Sequence, residues 1–193
     1  NFVDEDKAKV SVFDRGFLFA DAVYEVTAVI DGKILEWDGH VKRLERSLKE
    51  LDMKFPISET ELLDIHFDLI KKNTLKEGLI YLQVTRGEDD RSFDYPDESV
   101  KPTLVLFTQV KSLAESNIAK TGLKVISVPD MRWGRRDIKT VQLLAPSMCK
   151  MMAKKKNKDD AWMIQDGFIT EGTSNNAYII TKDNVLITRN LSN

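Results

Sequence analysis

Residues 23–30, Val-Tyr-Glu-Val-Thr-Ala-Val-Ile, are rich in β-branched side chains and read as a strand. Asp31-Gly32 supplies a hairpin turn into Lys33-Ile34-Leu35. The apolar period then changes. Val41, Leu44, Leu48 and Leu51 recur at helical spacing and share one face, with Asp38 as the expected N-cap. Ser58 and Glu61 form a capping-box pattern that opens a second helix through Leu62, Ile65, Leu69 and Ile70. Residues 79–85 and 103–110 read as strands on either side of a long polar loop. Residues 9–13 alternate as a half-buried strand. A chain that switches period in this way builds sheets with helices laid on them, an α+β fold.

Residues 111–121 are polar and carry no strong pattern, so the domain boundary is expected there. The expected domains are a small N-terminal α+β domain over 1–115 and part of a larger domain over 116–193. In the second, residues 123–128, 161–164, 177–180 and 185–188 read as strands. Residues 142–156 read as a helix, with Pro146 early enough to be tolerated. The lysine run at 154–158 suits a helix C-terminus, where cations complement the dipole. The first residue is not Met, and the chain stops just past its last predicted strand, so a fragment, or a chain lacking its C-terminal part, is expected.

With 193 residues, 42% hydrophobic content and a net charge of −2, the composition is that of a globular protein without a basic footprint for nucleic acid or membrane surfaces. Cys149 stands alone, which argues against a disulfide framework and for a reducing, cytoplasmic setting. Two His and one Cys without clustered spacing make a metal site unexpected. No apolar run reaches membrane-spanning length.

Several residues have chemistry to offer. Lys139 ends an extended segment between Ile138 and the apolar Val141, Leu143 and Leu144, a poor setting for a solvated lysine. Partial burial favours the neutral amine, a nucleophile towards aldehydes and a proton shuttle. A surface lysine beside Asp137 is the plainer alternative. Glu171 follows a turn and a short strand, where a carboxylate can face a ring nitrogen or simply cap its own turn. Thr173, Ser174, Asn175 and Asn176 offer hydroxyls and amides to a phosphate or ring oxygen, or form an ordinary turn. Arg43 lies beside Val41 and Leu44 on the first long helix. From there it can reach inward to bind a phosphate bidentately, or pair with a neighbouring Glu. Arg86 and Arg91 flank an acidic loop and suit either a substrate carboxylate or local salt bridges. Tyr24 points into a core or a pocket. Trp133 and Trp162 read as core, His40 as a helix-start residue and His66 as a partly buried helix residue.

Five motifs lie in register: Asp14-Arg15-Gly16 with Phe19, Asp21 and Val23-Tyr24-Glu25; Arg43-Leu44; Thr85-Arg86-Gly87; Asp137-Ile138-Lys139; and Glu171-Gly172-Thr173-Ser174-Asn175. In order and spacing, over nearly the whole chain, they resemble the class IV aminotransferases, the fold-type IV enzymes of pyridoxal 5'-phosphate (PLP). The likeness is strongest to the bacterial D-amino acid aminotransferases. The resemblance implies a two-domain fold whose second domain is incomplete in this chain. It implies that Lys139 forms the Schiff base with the cofactor and moves the proton. Glu171 would pair with the pyridine nitrogen, Arg43 would bind the phosphate, and Ser174 and Asn175 would add cofactor contacts. Tyr24 would line the substrate pocket. Arg91 aligns with the family's carboxylate-binding arginine, which reaches the site from the other subunit of a homodimer. The implied reaction moves the amine of a D-amino acid such as D-alanine to a 2-oxo acid. Two departures stand out. The family chain continues well past Asn193. Phe93 also occupies a position that is His in the D-amino acid enzymes, which leaves Arg15 as a candidate extra cation. Branched-chain and (R)-amine transaminases, aminodeoxychorismate lyase, and a relative without turnover remain the alternatives.

Overall fold

The computed structural model describes residues 1–115 and 117–190; Ser116, inside the expected boundary, and Leu191, Ser192 and Asn193 at the chain's end lie outside the described residues. The chain forms two compact units, Asn1–Ala114 with Ile138–Val141, and Glu115–Asp137 with Gln142–Asn193.

In the first unit a 3-10 turn at Glu5–Lys7 precedes a stretch that is not the expected strand. Val10, Val12 and Phe13 are exposed, and the chain there turns, with the Asp14 N–H donating to the Ser11 carbonyl. Alternation does not make a strand where no neighbouring strand takes up the backbone groups. Asp14 caps the short helix α1 (Arg15–Phe19) by accepting from the Gly16 N–H. Strand β1 (Ala22–Ile30) turns through Asp31 and Gly32, at φ 51° and 71°, into β2 (Lys33–Ile34). Two consecutive positive φ values match the twist of a two-residue hairpin.

Helix α2 (Trp37–Glu50) begins ahead of the expected cap. Its N-cap is Glu36, left-handed at φ 52°, and Asp38 lies in the first turn, where it complements the dipole without capping. Helix α3 (Glu59–Lys72) carries the complete Ser58–Glu61 capping box. Strands β3 (Gly78–Thr85) and β4 (Thr103–Val110) complete an antiparallel sheet in the order β2-β1-β3-β4. Val29 and Ile80 pack beneath Leu69 of α3, with Leu75 closing the cluster. His66 is buried in α3; its Nδ1 lies 2.8 Å from the Leu62 carbonyl, and the Trp37 ring meets its edge.

The second unit starts with the short helix α4 (Asn117–Thr121), which the sequence pattern did not predict. Strand β5 (Val125–Pro129) leads to α5 (Leu144–Lys155), and β6 (Asp160–Gln165) returns parallel to β5. Strand β7 (Phe168–Gly172) pairs antiparallel with β6, and β8 (Tyr178–Ile180) with β9 (Leu186–Thr188) forms a separate hairpin. Cys149 and Ala153 of α5 pack on Val128, Ala161 and Met163, a small core with no exposed member. Among the described residues no helix is long and apolar enough to cross a membrane.

Candidate active site

Strand β1 has a free edge beyond the short β2, and residues 138–141 occupy it. Val23 and Thr140 form an antiparallel bridge; the Tyr24 N–H donates to the Lys139 carbonyl at 3.0 Å, and the Val141 N–H to the Ala22 carbonyl at 3.2 Å. Ile138 and Thr140 are buried, which anchors the segment on both sides of Lys139. The Lys139 N–H also donates to Ser47 Oγ of α2, at 3.4 Å. The lysine backbone is therefore fixed by sheet pairing and by a helix.

The side chain of Lys139 is half-buried, with Nζ 4.2 Å from the Tyr24 ring centroid. Among the described residues the amine has no ion pair and no hydrogen bond. An aromatic face holds an ammonium without consuming its donors. Tyr24 is in turn part of an aromatic series across the sheet, stacked with Tyr81 at 5.7 Å, which stacks with Phe107 at 4.9 Å. Burial, and then the neighbouring Tyr24, raises the pKa of the Tyr81 phenol, so its hydroxyl stays protonated and donates to Gln83 Oε1 at 2.8 Å.

Alternation along β1 puts Glu25 on the face opposite Tyr24, where it is 3% exposed. A buried carboxylate needs a cation, and α2 supplies one. Arg43 donates from Nε and Nη2 to the two Glu25 oxygens at 2.7 and 2.6 Å, and His40, one turn earlier, approaches with Nδ1 at 2.7 Å. Burial pushes the Glu25 carboxyl up. The hydrogen bonds from Arg43 and then His40 more than reverse this, leaving its pKa below the ordinary value. The bonds to Glu25 raise the pKa of Arg43 against the opposing effect of burial. Arg43 thus makes an ion pair with a Glu, yet its Nη1 has no protein partner among the described residues and its side chain is 40% exposed. The guanidinium is held on one side and open on the other.

In the second unit Glu171 lies on β7 beside the buried Thr170. Its carboxylate pairs with Arg132, which also holds Asp130 through Nη2 at 2.7 Å and Nε at 3.0 Å. Asp130 further accepts from Arg136 Nη1 at 2.9 Å and from the Thr170 hydroxyl at 2.7 Å. Burial opposes ionisation of Asp130, but Arg132 and Thr170 carry its pKa far below the usual carboxylate range. The loop after β7 is organised by Asp160, which accepts from Thr173 Oγ1 at 2.5 Å and from Asn175 Nδ2 at 3.0 Å. The Gly172 N–H donates to the Asn175 carbonyl at 2.8 Å. The side-chain amide of Asn175 thereby gives one hydrogen bond to the protein itself, and both Ser174 and Asn175 are exposed.

Arg91 is exposed, 5.4 Å from the Phe19 ring. Phe93 is 84% exposed and meets the edge of Phe19. Arg15 is not available as a substitute cation for a ligand: it is 3% exposed, and its Nε donates to Asp21 at 2.8 Å. Arg86 takes the salt-bridge alternative. Its Nε and Nη2 donate to Asp21 at 2.7 and 3.1 Å, and the Tyr95 ring covers it.

The first unit thus brings Lys139 onto Tyr24 and pairs Arg43 with Glu25, the next residue of the same strand, while Glu171, Ser174 and Asn175 share one stretch of the second. Sequence reasoning gave no role to Glu25, His40, Arg132, Asp130 or Asp160. Glu25 did leave a signal. It falls in the buried phase of β1, and α2 presents His40 and Arg43 at i, i+3 spacing, which places both on one side of a helix. Nothing in the sequence pairs Asp130 with Thr170 or Asp160 with Asn175.

Residues 22–193 match the family described as amino-transferase class IV. A D-alanine aminotransferase of Staphylococcus haemolyticus is 35% identical over 192 residues, which is the whole of this chain and 67% of that protein. Among solved structures, the branched-chain amino acid aminotransferase of Escherichia coli superposes with a TM-score of 0.83 at 20% identity, over 96% of this chain and 64% of that one. The 4-amino-4-deoxychorismate lyase of Pseudomonas aeruginosa does so with 0.76 at 21%, over 95% and 67%. The chain spans about two thirds of the length of the relatives it matches.

Proposed function

The chain belongs to the class IV aminotransferases, a PLP-dependent family with the fold-type IV architecture, and from that premise we propose that it transfers the amine of D-amino acids such as D-alanine to a 2-oxo acid. One observation carries the reading: the Lys139 amine is held over Tyr24 by a sheet-paired backbone and has no carboxylate partner among the described residues. A lysine placed for chemistry keeps its amine available.

PLP supplies an electrophilic aldehyde and a ring that draws negative charge from the substrate's α-carbon. The side chains of this protein suit that group. The Lys139 amine would hold the group through its aldehyde and would move a proton between the substrate's α-carbon and the aldehyde carbon. Arg43, with Nε and Nη2 fixed by Glu25, keeps Nη1 for the phosphate. Glu171, paired with Arg132, would accept the hydrogen bond of a protonated ring nitrogen. Ser174 offers an exposed hydroxyl, and Asn175 orders the loop that presents it. In this reading residues 1–115 are the small domain and 116–193 belong to the cofactor-binding domain. The enzyme works as a homodimer in the cytoplasm, where a lone thiol such as Cys149 stays reduced.

The preference for D-amino acids is supported by the D-alanine aminotransferase relatives and by Arg91, whose exposed guanidinium suits a substrate carboxylate. The test is to incubate the full-length protein, loaded with PLP, with D-alanine and 2-oxoglutarate. Pyruvate and glutamate are expected. Absence of a keto-acid product with D-alanine and other D-amino acids alike would reject the proposal. A second reading rests on Phe93, an exposed ring beside Arg91 in place of a polar imidazole. It favours less polar donors, as in an (R)-amine or branched-chain transaminase, or a lyase of the same fold. Faster turnover of an (R)-arylalkylamine than of D-alanine would establish the amine transaminase among them.

A further inference from the structure

Residues 91–96 carry Arg91 and Phe93 on a stretch with neither helix nor strand. Among the described residues, no backbone hydrogen bond between main-chain groups ties this stretch to the rest of the fold. The Tyr95 ring packs over Arg86, and the hydrogen bonds come from another side chain. Arg15 Nη1 donates to the Ser92 carbonyl at 2.8 Å and to the Asp94 carbonyl at 3.2 Å, the two carbonyls that bracket Phe93.

Arg15 can do this because it is itself immobile. Its Nε is held by Asp21 Oδ2, the oxygen that also accepts from Arg86 Nε, so one carboxylate sits between two buried guanidiniums. One anion cannot neutralise two buried cations, and the remaining donors must find other acceptors. Arg86 finds the Leu51 and Asp52 carbonyls, at 2.7 and 3.4 Å. Arg15 finds those of the 91–96 stretch. Phe19 adds a shared apolar support: the Arg15 guanidinium lies 4.5 Å from its ring centroid, Arg91 5.4 Å, and the Phe93 ring 5.6 Å.

We propose that Arg15 is a positioning residue for carboxylate-bearing substrates: its bonds to the Ser92 and Asp94 carbonyls fix the loop that aims Arg91. The inference rests on the assignment of Arg91 as the group that takes the substrate carboxylate. Lysine at position 15 would keep the charge but lose the planar fork that serves Asp21 and the two carbonyls together.

The experiment is steady-state kinetics of the full-length, PLP-loaded enzyme with D-alanine, comparing Arg15→Lys, Arg91→Ala and the double variant, with bound PLP measured in each. Arg15→Lys is expected to raise KM for D-alanine about tenfold, the worth of one charge-assisted hydrogen bond, with kcat and PLP content near those of the parent. The double variant is expected to be no worse than Arg91→Ala alone, because a loop without its arginine has nothing left to aim. Losses that add in the double variant, or an Arg15→Lys loss in kcat and PLP content with KM unmoved, overturn the positioning role and leave the Arg91 assignment standing. An unchanged KM in Arg91→Ala overturns that assignment, and this inference with it. Should Arg15→Lys not fold, Phe19→Leu removes the shared ring while keeping apolar volume. It is expected to give the same KM-selective, non-additive loss, and additive loss there again overturns the proposal.

Discussion

Glu25 links strand to helix and stability to chemistry. Its carboxylate is buried, doubly bonded by Arg43 and approached by His40. Replacing it by glutamine leaves the Arg43 charge without its partner. Breaking a fully buried pair costs about 3–5 kcal/mol, and the partial exposure of Arg43 reduces the expected loss to roughly 2 kcal/mol. The pH dependence follows from the sign of the shift. The folded-state pKa lies below the ordinary 4.5, so the contribution of Glu25 is complete above that value and is lost as pH falls through the folded pKa. Urea unfolding of the parent and of Glu25→Gln is therefore expected to show a gap that is constant near neutrality and narrows below about pH 4.5. A gap that persists unchanged into acid would mean that Glu25 is not held ionised by Arg43. The same substitution is expected to weaken PLP affinity about tenfold, since an arginine freed of one fixed partner presents its open edge less consistently.

At the level of elements, local sequence chemistry decides much and neighbours decide the rest. The Ser58–Glu61 box was legible because both of its bonds are made within one turn. Ser58→Ala is expected to lower stability by about 1 kcal/mol, measurable as a lower urea midpoint with an unchanged slope. An unchanged midpoint would show that α3 is held by its buried face alone. The Asp31-Gly32 hairpin and the long strands were legible for the same local reason. Residues 9–13 misled because alternation reports a possible strand, while a strand exists only where another chain segment accepts its bonds. Asp38 misled because the helix starts at Trp37, from a left-handed Glu36 that no propensity favours. The segment at 138–141 is the converse case. It is too short to register as a strand, yet it is fixed by the edge of β1 left open beyond β2.

For the whole molecule, the motifs carried more than any single residue could. Lys139, Glu171 and Arg43 each had an ordinary alternative, and only their joint register pointed to one chemistry. The supporting residues stayed hidden because each acts across the fold: Ser47 beneath Lys139, Asp160 beneath Asn175, Arg132 against Glu171. Such pairs depend on where the chain returns, which spacing does not encode. The central claim is that Lys139 carries PLP and that D-amino acids discharge into it. The most direct test is the absorbance spectrum of the full-length protein with PLP, recorded before and after D-alanine, for the parent and for Lys139→Ala. The expected result is a cofactor band that requires Lys139 and that D-alanine converts to the spectrum of the pyridoxamine form. A band that survives Lys139→Ala unchanged, or one that no D-amino acid alters, would contradict the account.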